Sequence, residues 1–363
     1  MTSPMVAASS RRRPRVTRVA LGVVLVVVLV LFPLVVPRPD FWVVSIGIRG
    51  LWLGIIALSL TWLAKHTGLL SLGQLTFWGV SAYTVAILAT TYDLSYAVAI
   101  PAGVLLATAV GALVGMVAVR TQGVYFLMVT LAVSQLAYFL VLNAADLTRG
   151  HVGISVPRPE FLGLSLDDRN VFYYLSLLVA GLLFVTCWYL SRTPFGLALQ
   201  GIRDSPDRMR ALGYNVYLHR VAAFTVSSGI AAVSGVLALF YNGRVTPGGI
   251  DLMRSIEVLI VSVLGGIGAL AGSFLGSFSL TTLQNFAQED FIDLRRMTLT
   301  GLVFLLVLLF FRGGIVDLPR QLRVYARSAL RLPDRVRGRH RVGSAPPTPP
   351  IATEPRDDPK GSP

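Results

Sequence analysis

The sequence predicts an all-α integral membrane protein of about ten transmembrane helices, and three observations carry that reading. Of 363 residues, 54% are hydrophobic and only 14% charged, and the mean hydropathy is +0.68; a soluble domain needs far more polar surface to face water. The apolar residues fall into runs of about twenty, enough to cross a bilayer core at about 1.5 Å per residue. The net charge of +14 is concentrated between those runs: Arg11, Arg12, Arg13, Arg15 and Arg18 precede the first, five arginines lie in 192–220, and eleven Lys or Arg follow from Arg312 onward. Such clustering marks the cytoplasmic side, so the charge reads as orientation and headgroup contact ahead of nucleic-acid binding.

Residues 1–18 form a basic cytoplasmic N-terminus. The first span is Val19 to Val36, too long for a signal peptide and followed by no small-x-small cleavage site. The second runs from Phe41 to Leu63, with Lys65 and His66 marking the inner face. The third, Gly68 to Tyr92, sets Gly68, Gly73 and Gly79 with Ser71, Gln74 and Ser81 among apolar residues, which predicts a broken or closely packed helix. An amide such as Gln74 in hydrocarbon must face protein or a water-filled path; plain helix packing is the alternative. Residues 95–119 and Val124 to Leu142 form the fourth and fifth spans, and Asn143 to Asn170, with Pro157, Pro159 and balanced charge, an external loop. Val171 to Leu190 is the sixth span, and an even number of crossings returns the chain to the cytoplasm at Arg192.

The loop 192–219 is the longest polar interruption between inner-face ends, and its stretch RTPFGLALQGIRDSPDRMRALGYNV carries helix punctuation. Asp204 is the expected N-cap, Pro206 sits in the first turn where its missing N–H costs nothing, and Gly213 closes the far end in a left-handed conformation. A helix of about two turns needs external support. It is therefore a docking element, or else an ordinary positive-inside loop with a capped turn.

Val221 to Tyr241 is the seventh span, and Ile256 to Phe286 is apolar for about thirty residues with LGGIGALAGSFLG at its middle. Parity decides its form. The seventh span carries the chain out, and Met297 to Phe311 must end inside because the tail beyond it holds eleven basic and five acidic residues. The stretch between is then a helical hairpin that enters and leaves on the outside, turning at Gly265, Gly266, Gly268 and Gly272. Spans 2–5 and 7–10 become an inverted repeat, whose interface near the midplane is where transport paths lie. The tail 317–363 is cytoplasmic and basic, and beyond about Arg341 it has almost nothing apolar to bury.

Several chemistries lack their residues. Neither lysine, Lys65 or Lys360, stands in a nucleotide-binding glycine loop, so the chain is expected not to hydrolyse ATP itself. The four histidines are scattered and Cys187 is alone, so no metal site and no cofactor is expected. Glu257 is the one carboxylate within the spans, at an end, which argues against coupling to an ion gradient and against membrane-embedded acid–base catalysis. What remains is a conduit driven by something attached.

An ordered set of stretches resembles the membrane permease subunits of branched-chain amino acid ABC importers, in particular the LivM-like subunit, with urea and amide permeases close by: SLGQLTFWGVSAY (71–83), GVYFLMVTLA (123–132), LTRGHVGI (147–154), the 192–216 loop, TP near 246, LGGIGALAGSFLG (264–276) and LLFFRGGI (308–315). The resemblance covers roughly 45–316. It implies that the loop is a cytoplasmic coupling helix fitting a cleft of an ATPase subunit, with Asp204, Asp207, Arg208, Met209, Arg210, Ala211, Leu212 and Gly213 at the contact. It also implies a second permease subunit, two cytoplasmic ATPase subunits and an extracytoplasmic solute-binding protein, in a bacterial plasma membrane with both termini cytoplasmic. Two features depart from the family's pattern. Arg208 and Met209 stand where two small residues are usual, and Arg149 replaces the first of two glycines. The expected cargo is leucine, isoleucine or valine, with urea or short amides as the alternative; an ion-coupled secondary transporter and a membrane-embedded scaffold are rivals of other classes. Gly73, Gln74, Thr130, Gly265 and Gly266 are the candidates for the translocation path. No charged constellation that would mark a zwitterion site is expected from the spacing.

Overall fold

The computed structural model describes residues 33, 40–158, 160–161, 164–165 and 168–286; the first and last expected spans, the N-terminus and the tail lie outside them. Helix α1 (Arg49–Thr67) continues a π-helical stretch, Asp40–Ile48, and is apolar on every face, the pattern of a helix enclosed by others. It stops at Gly68, whose left-handed φ of +73° lets its N–H reach Ala64 O. Residues 68–73 are not helical, and α2 (Gln74–Thr90) starts only after them. The third expected span is thus broken, at its glycines. Helices α3 (Tyr96–Ala118) and α4 (Val124–Asn143) follow at the expected boundaries, then the single turn α5 (Ala145–Thr148).

Strand β1 (Ile154–Ser155) pairs antiparallel with β4 (Arg244–Val245), and β2 (Glu160–Phe161) with β3 (Leu164–Ser165). The 143–170 loop is therefore strapped to the chain beyond α9 (Val216–Asn242), and Arg158 donates to Phe240 O and Tyr241 O. Arg149 has φ +58°, the left-handed region that favours glycine. Helix α6 (Arg169–Leu190) is capped by Asp168, whose carboxylate accepts from Asn170 N. Helices α7 (Pro194–Asp204) and α8 (Pro206–Ala211) form the polar loop, and α10 (Leu252–Gly265) and α11 (Leu270–Phe286) complete the described chain.

Five of these helices, among the described residues, are long and apolar enough to cross a membrane, or six if the bent pair α10–α11 counts as one. At 17 residues α2 falls just short. Burial sorts them: 78% of the most apolar window is covered in Trp42–Thr67 and in Val216–Asn242, against 22%, 17% and 28% in α3, α4 and α6. The first two form the centre, and the other three present long apolar faces outward, to lipid or to a further subunit.

Small residues let the central helices touch. Ser81 donates to Ala232 O at 2.7 Å, Ser234 to Trp52 O at 2.7 Å and Ser277 to Gly50 O at 2.7 Å, each a hydroxyl satisfied on a neighbouring helix. The helices α10 and α11 meet at 116° across 266–269. Both outer ends return to Arg49: Glu257 lies 3.9 Å from its guanidinium, and Gln284 accepts a hydrogen bond from it at 3.0 Å. The turn end lies farther along α1, where Ser262 donates to Ala57 O. Among the described residues the stretch is thus a pair of helices, bent at 266–269 and packed beside α1.

Candidate functional site

The polar loop is an elbow of two helices where one was expected. Thr193 caps α7, accepting from Gly196 N, and Pro194 occupies its first turn. Asp204 is the last residue of α7, so it is not the N-cap of α8; that place falls to Ser205, which makes no side-chain cap bond. The Thr-Pro pair at 193–194 is the stronger start signal, and it shifts the first N-cap eleven residues upstream, from 204 to 193. Gly213 closes α8 with φ +86° as expected, and the bonds Gly213 N to Arg210 O and Tyr214 N to Met209 O complete a Schellman turn.

The two arms differ in burial. Helix α7 buries Gly196, Ala198, Leu199 and Ile202, while α8 buries nothing. Arg203 ties α7 to the end of α1 by donating to Lys65 O, and its stem packs beside Gly68. On the free arm Asp207 pairs with Arg210 at 2.6 Å. Leu212 is 67% exposed, an apolar side chain in the open just beyond α8. Arg208 has no ion-pair partner among the described residues. Ala211 ends the helix, and Met209 leans back across Gly201 of α7.

Three of the five path candidates meet. Thr130 Oγ1 accepts from Leu72 N at 3.2 Å, and a Cβ on Gly73 would lie 3.2 Å from Thr130 O. Gln74, buried, donates to Ser227 Oγ at 3.1 Å, and that hydroxyl donates on to Ser59 O at 2.8 Å. The carbonyl oxygen of Gln74 has no partner among the described residues. Gly265 and Gly266 belong to another feature, the turn between α10 and α11, where Gly265 backs onto Gly272 and Gly266 has φ +101°.

Near the other end of α1 from the elbow lies a cavity of about 560 Å³, between α1, α2, α9 and α10. Its charged wall is Arg49, Arg254 and Glu257; its aromatic wall is Trp52, Trp78 and Tyr241. Arg254 pairs with Glu257 at 2.7 Å, and Gln284 donates to the same carboxylate at 2.9 Å. Trp52 is 6.4 Å from both Trp78 and Tyr241 between ring centroids, and neither indole N–H has a hydrogen-bond partner among the described residues. A charged constellation does exist, contrary to expectation. Its members come from positions 49, 254 and 257, so no local spacing discloses it. The TPGG stretch, matched in the sequence only as TP, supplies Thr246, Gly248 and Gly249 to the same wall. Among the described residues no group of three or more His, Cys, Asp or Glu could hold a metal ion.

Comparison with known proteins adds a family. The model of the branched-chain amino acid transport system / permease component family matches residues 43–311. The high-affinity branched-chain amino acid transport system permease protein LivM of Escherichia coli (strain K12) is 31% identical over 310 residues, 79% of this chain and 72% of that protein. BraD of Pseudomonas aeruginosa, a permease of the same description, is 27% identical over 168 residues, 45% of this chain and 54% of its own. The autoinducer 2 import system permease protein LsrC of Klebsiella pneumoniae is 36% identical over 135 residues, 36% of this chain and 37% of its own. No solved structure matches.

Proposed function

The chain belongs to the family of branched-chain amino acid transport permease components, and from that membership we propose how it works as the multi-pass permease subunit of an ABC importer. The importer moves branched-chain amino acids, and the ATP is hydrolysed by separate subunits. In the proposed assembly these are two cytoplasmic ATPases, with a second permease subunit beside this one and a solute-binding protein outside. The membrane is the bacterial plasma membrane, crossed about ten times with both termini cytoplasmic, and spans 2–5 and 7–10 are an inverted repeat.

The observation that carries the mechanism is the difference between the two arms of the elbow. An arm with no buried residue and an exposed Leu212 at its end suits insertion into a cleft of a partner, while α7 is bound to the core. Motion imposed on α8 passes through Met209 to Gly201, along α7 to Arg203, and so to Lys65 and Gly68 at the end of α1. The non-helical residues 68–73 come directly after, and they lead into Gly73 and Gln74. A push on the elbow is thereby delivered to a break in the chain beside the polar cluster of Gln74, Ser227 and Thr130. Breaks are where a helix changes shape at low cost.

Reconstitution tests this reading. Uptake of leucine into proteoliposomes is expected to require ATP, both ATPases and the binding protein, and to persist with a proton uncoupler. Uptake that needs no ATPase and collapses with the uncoupler would instead make the chain an ion-coupled transporter.

A further inference from the structure

The permease reading leaves open whether this chain itself contacts the cargo, and the cavity at the Arg49 end of α1 bears on that question. It has the size of a small-ligand site, at about 560 Å³. Its composition is unusual for a membrane-spanning segment. Arg244 also lines it, so three guanidinium groups face one carboxylate across the same space, and Arg244 makes no ion pair with a described residue. A charge partly withdrawn from water is costly unless matched, and a wall with excess positive charge favours an anionic occupant. The carboxylate of Glu257 has a side chain only 13% exposed and is held by Arg254, by Gln284 and, at 3.9 Å, by Arg49. A carboxylate offers about four acceptor sites, so this one retains capacity for a further donor.

The aromatic wall points the same way. Trp78 is 5% exposed, lines the cavity, and its indole N–H has no partner among the described residues; the indole N–H of Trp52 beside it has none there either. Buried donors of this kind ordinarily have a partner. Indole and phenol faces also attract cations. Between the two walls the lining is aliphatic, from Leu53, Leu75 and Val258. Anion-attracting arginines, a carboxylate with aromatic faces for a cation, and an aliphatic patch form the complement of a free amino acid with an apolar side chain.

We propose that this cavity is a station for the cargo within the permease subunit, taking the α-carboxylate at Arg254 and Arg244, the ammonium at Glu257 and the aromatic faces, and the side chain at Leu53, Leu75 and Val258. It rests on the permease reading and adds that this subunit helps to select what passes. Leu75 directly succeeds Gln74 in the chain, so the station adjoins the polar cluster beside the break.

The complete complex in nanodiscs, without the binding protein, is irradiated with a diazirine analogue of leucine, and cross-linked peptides are mapped. The same complexes in proteoliposomes are assayed for uptake of leucine against valine. Cross-links at 49–53, 75–78 or 241–258 that unlabelled leucine competes away are expected, weakened in Glu257→Gln. Leu75→Val, which changes the aliphatic patch by one methylene, is expected to shift the leucine to valine uptake ratio by about tenfold, the scale of a methylene in an apolar pocket. A ratio is insensitive to reduced abundance, so partial misfolding does not imitate this result. Absent or uncompeted cross-links together with an unchanged ratio would overturn the station. Loss of ATPase stimulation by the binding protein, with cross-links absent and the ratio unchanged, would make the cavity a docking face and also overturn it. A wild-type complex that takes up no amino acid with ATP would bring down the permease reading instead.

Discussion

Met209 of α8 lies across Gly201 of α7 so closely that a Cβ on Gly201 would come within 2.8 Å of the methionine sulfur. The contact joins the free arm of the elbow to the bound arm. Met209→Ala is expected to uncouple the two arms: leucine uptake in proteoliposomes falls at least about tenfold, equivalent to about 1.4 kcal/mol of lost coupling. ATPase subunits still co-purify. Wild-type uptake by that variant would exclude the contact from transmission.

The far end of the free arm gives a different outcome. A β-branched residue at the φ of +86° held by Gly213 carries a penalty of about 1–3 kcal/mol. Asp207→Arg removes the pair with Arg210 and places a cation in the first turn of α8, where the helix dipole disfavours it. Both Gly213→Val and Asp207→Arg are expected to insert normally and to lose ATPase subunits on purification. Retention of the ATPases by both would remove α8 from the contact.

For Gln74 the hydrogen bonds separate function from stability. Gln74→Leu removes one bond to Ser227, yet it also removes a buried oxygen that has no partner among the described residues. The two effects oppose each other, at about 1 kcal/mol apiece. The thermal midpoint of the purified complex is expected to change little while uptake falls. A large loss of midpoint with normal uptake per folded molecule would assign Gln74 to packing alone.

Sidedness is checked by cysteine labelling in a Cys187→Ser background. Single cysteines at Gly248, before α10, and at Gln288, beyond α11, are both expected to react with a membrane-impermeant thiol reagent in intact cells. One at Leu212 is not. Reaction at only one of Gly248 and Gln288 would mean that the chain crosses the membrane between them, and would end the inverted repeat.

How far each feature was legible in the sequence depends on the range of its signal. Boundaries of α3, α4 and α6 were legible because apolar runs and their flanking charges are local, whereas α9 begins at Val216, five residues before the expected Val221, because Asn215 caps it. The break at 68–73 and the turn at 266–269 were legible from glycines. The elbow was half legible: Gly213 announced its end, but Asp204 drew attention from Thr193 and Pro194, where the first arm begins. The contact between Gln74 and Ser227 and the gathering of Arg49, Arg254 and Glu257 span 150 residues or more. Only the packing of α1 between α9 and the hairpin creates them.

The turn at 266–269 also bears on how the chain is made. Its backbone interrupts the helix: Gly266 N and Ala269 N bond to local carbonyls, but the regular ladder of a continuous helix is broken there. Lipid supplies no partners in its place. The hairpin is fastened along α1 by Ser262 to Ala57 O, Ser277 to Gly50 O and Asn285 to Ser45 O, all on a segment synthesised some two hundred residues earlier. A ribosome-bound chain reaching residue 286 therefore needs α1 already seated before this piece has anywhere stable to go, which makes biogenesis ordered: the early helices are the receptacle, and the late hairpin is the insert.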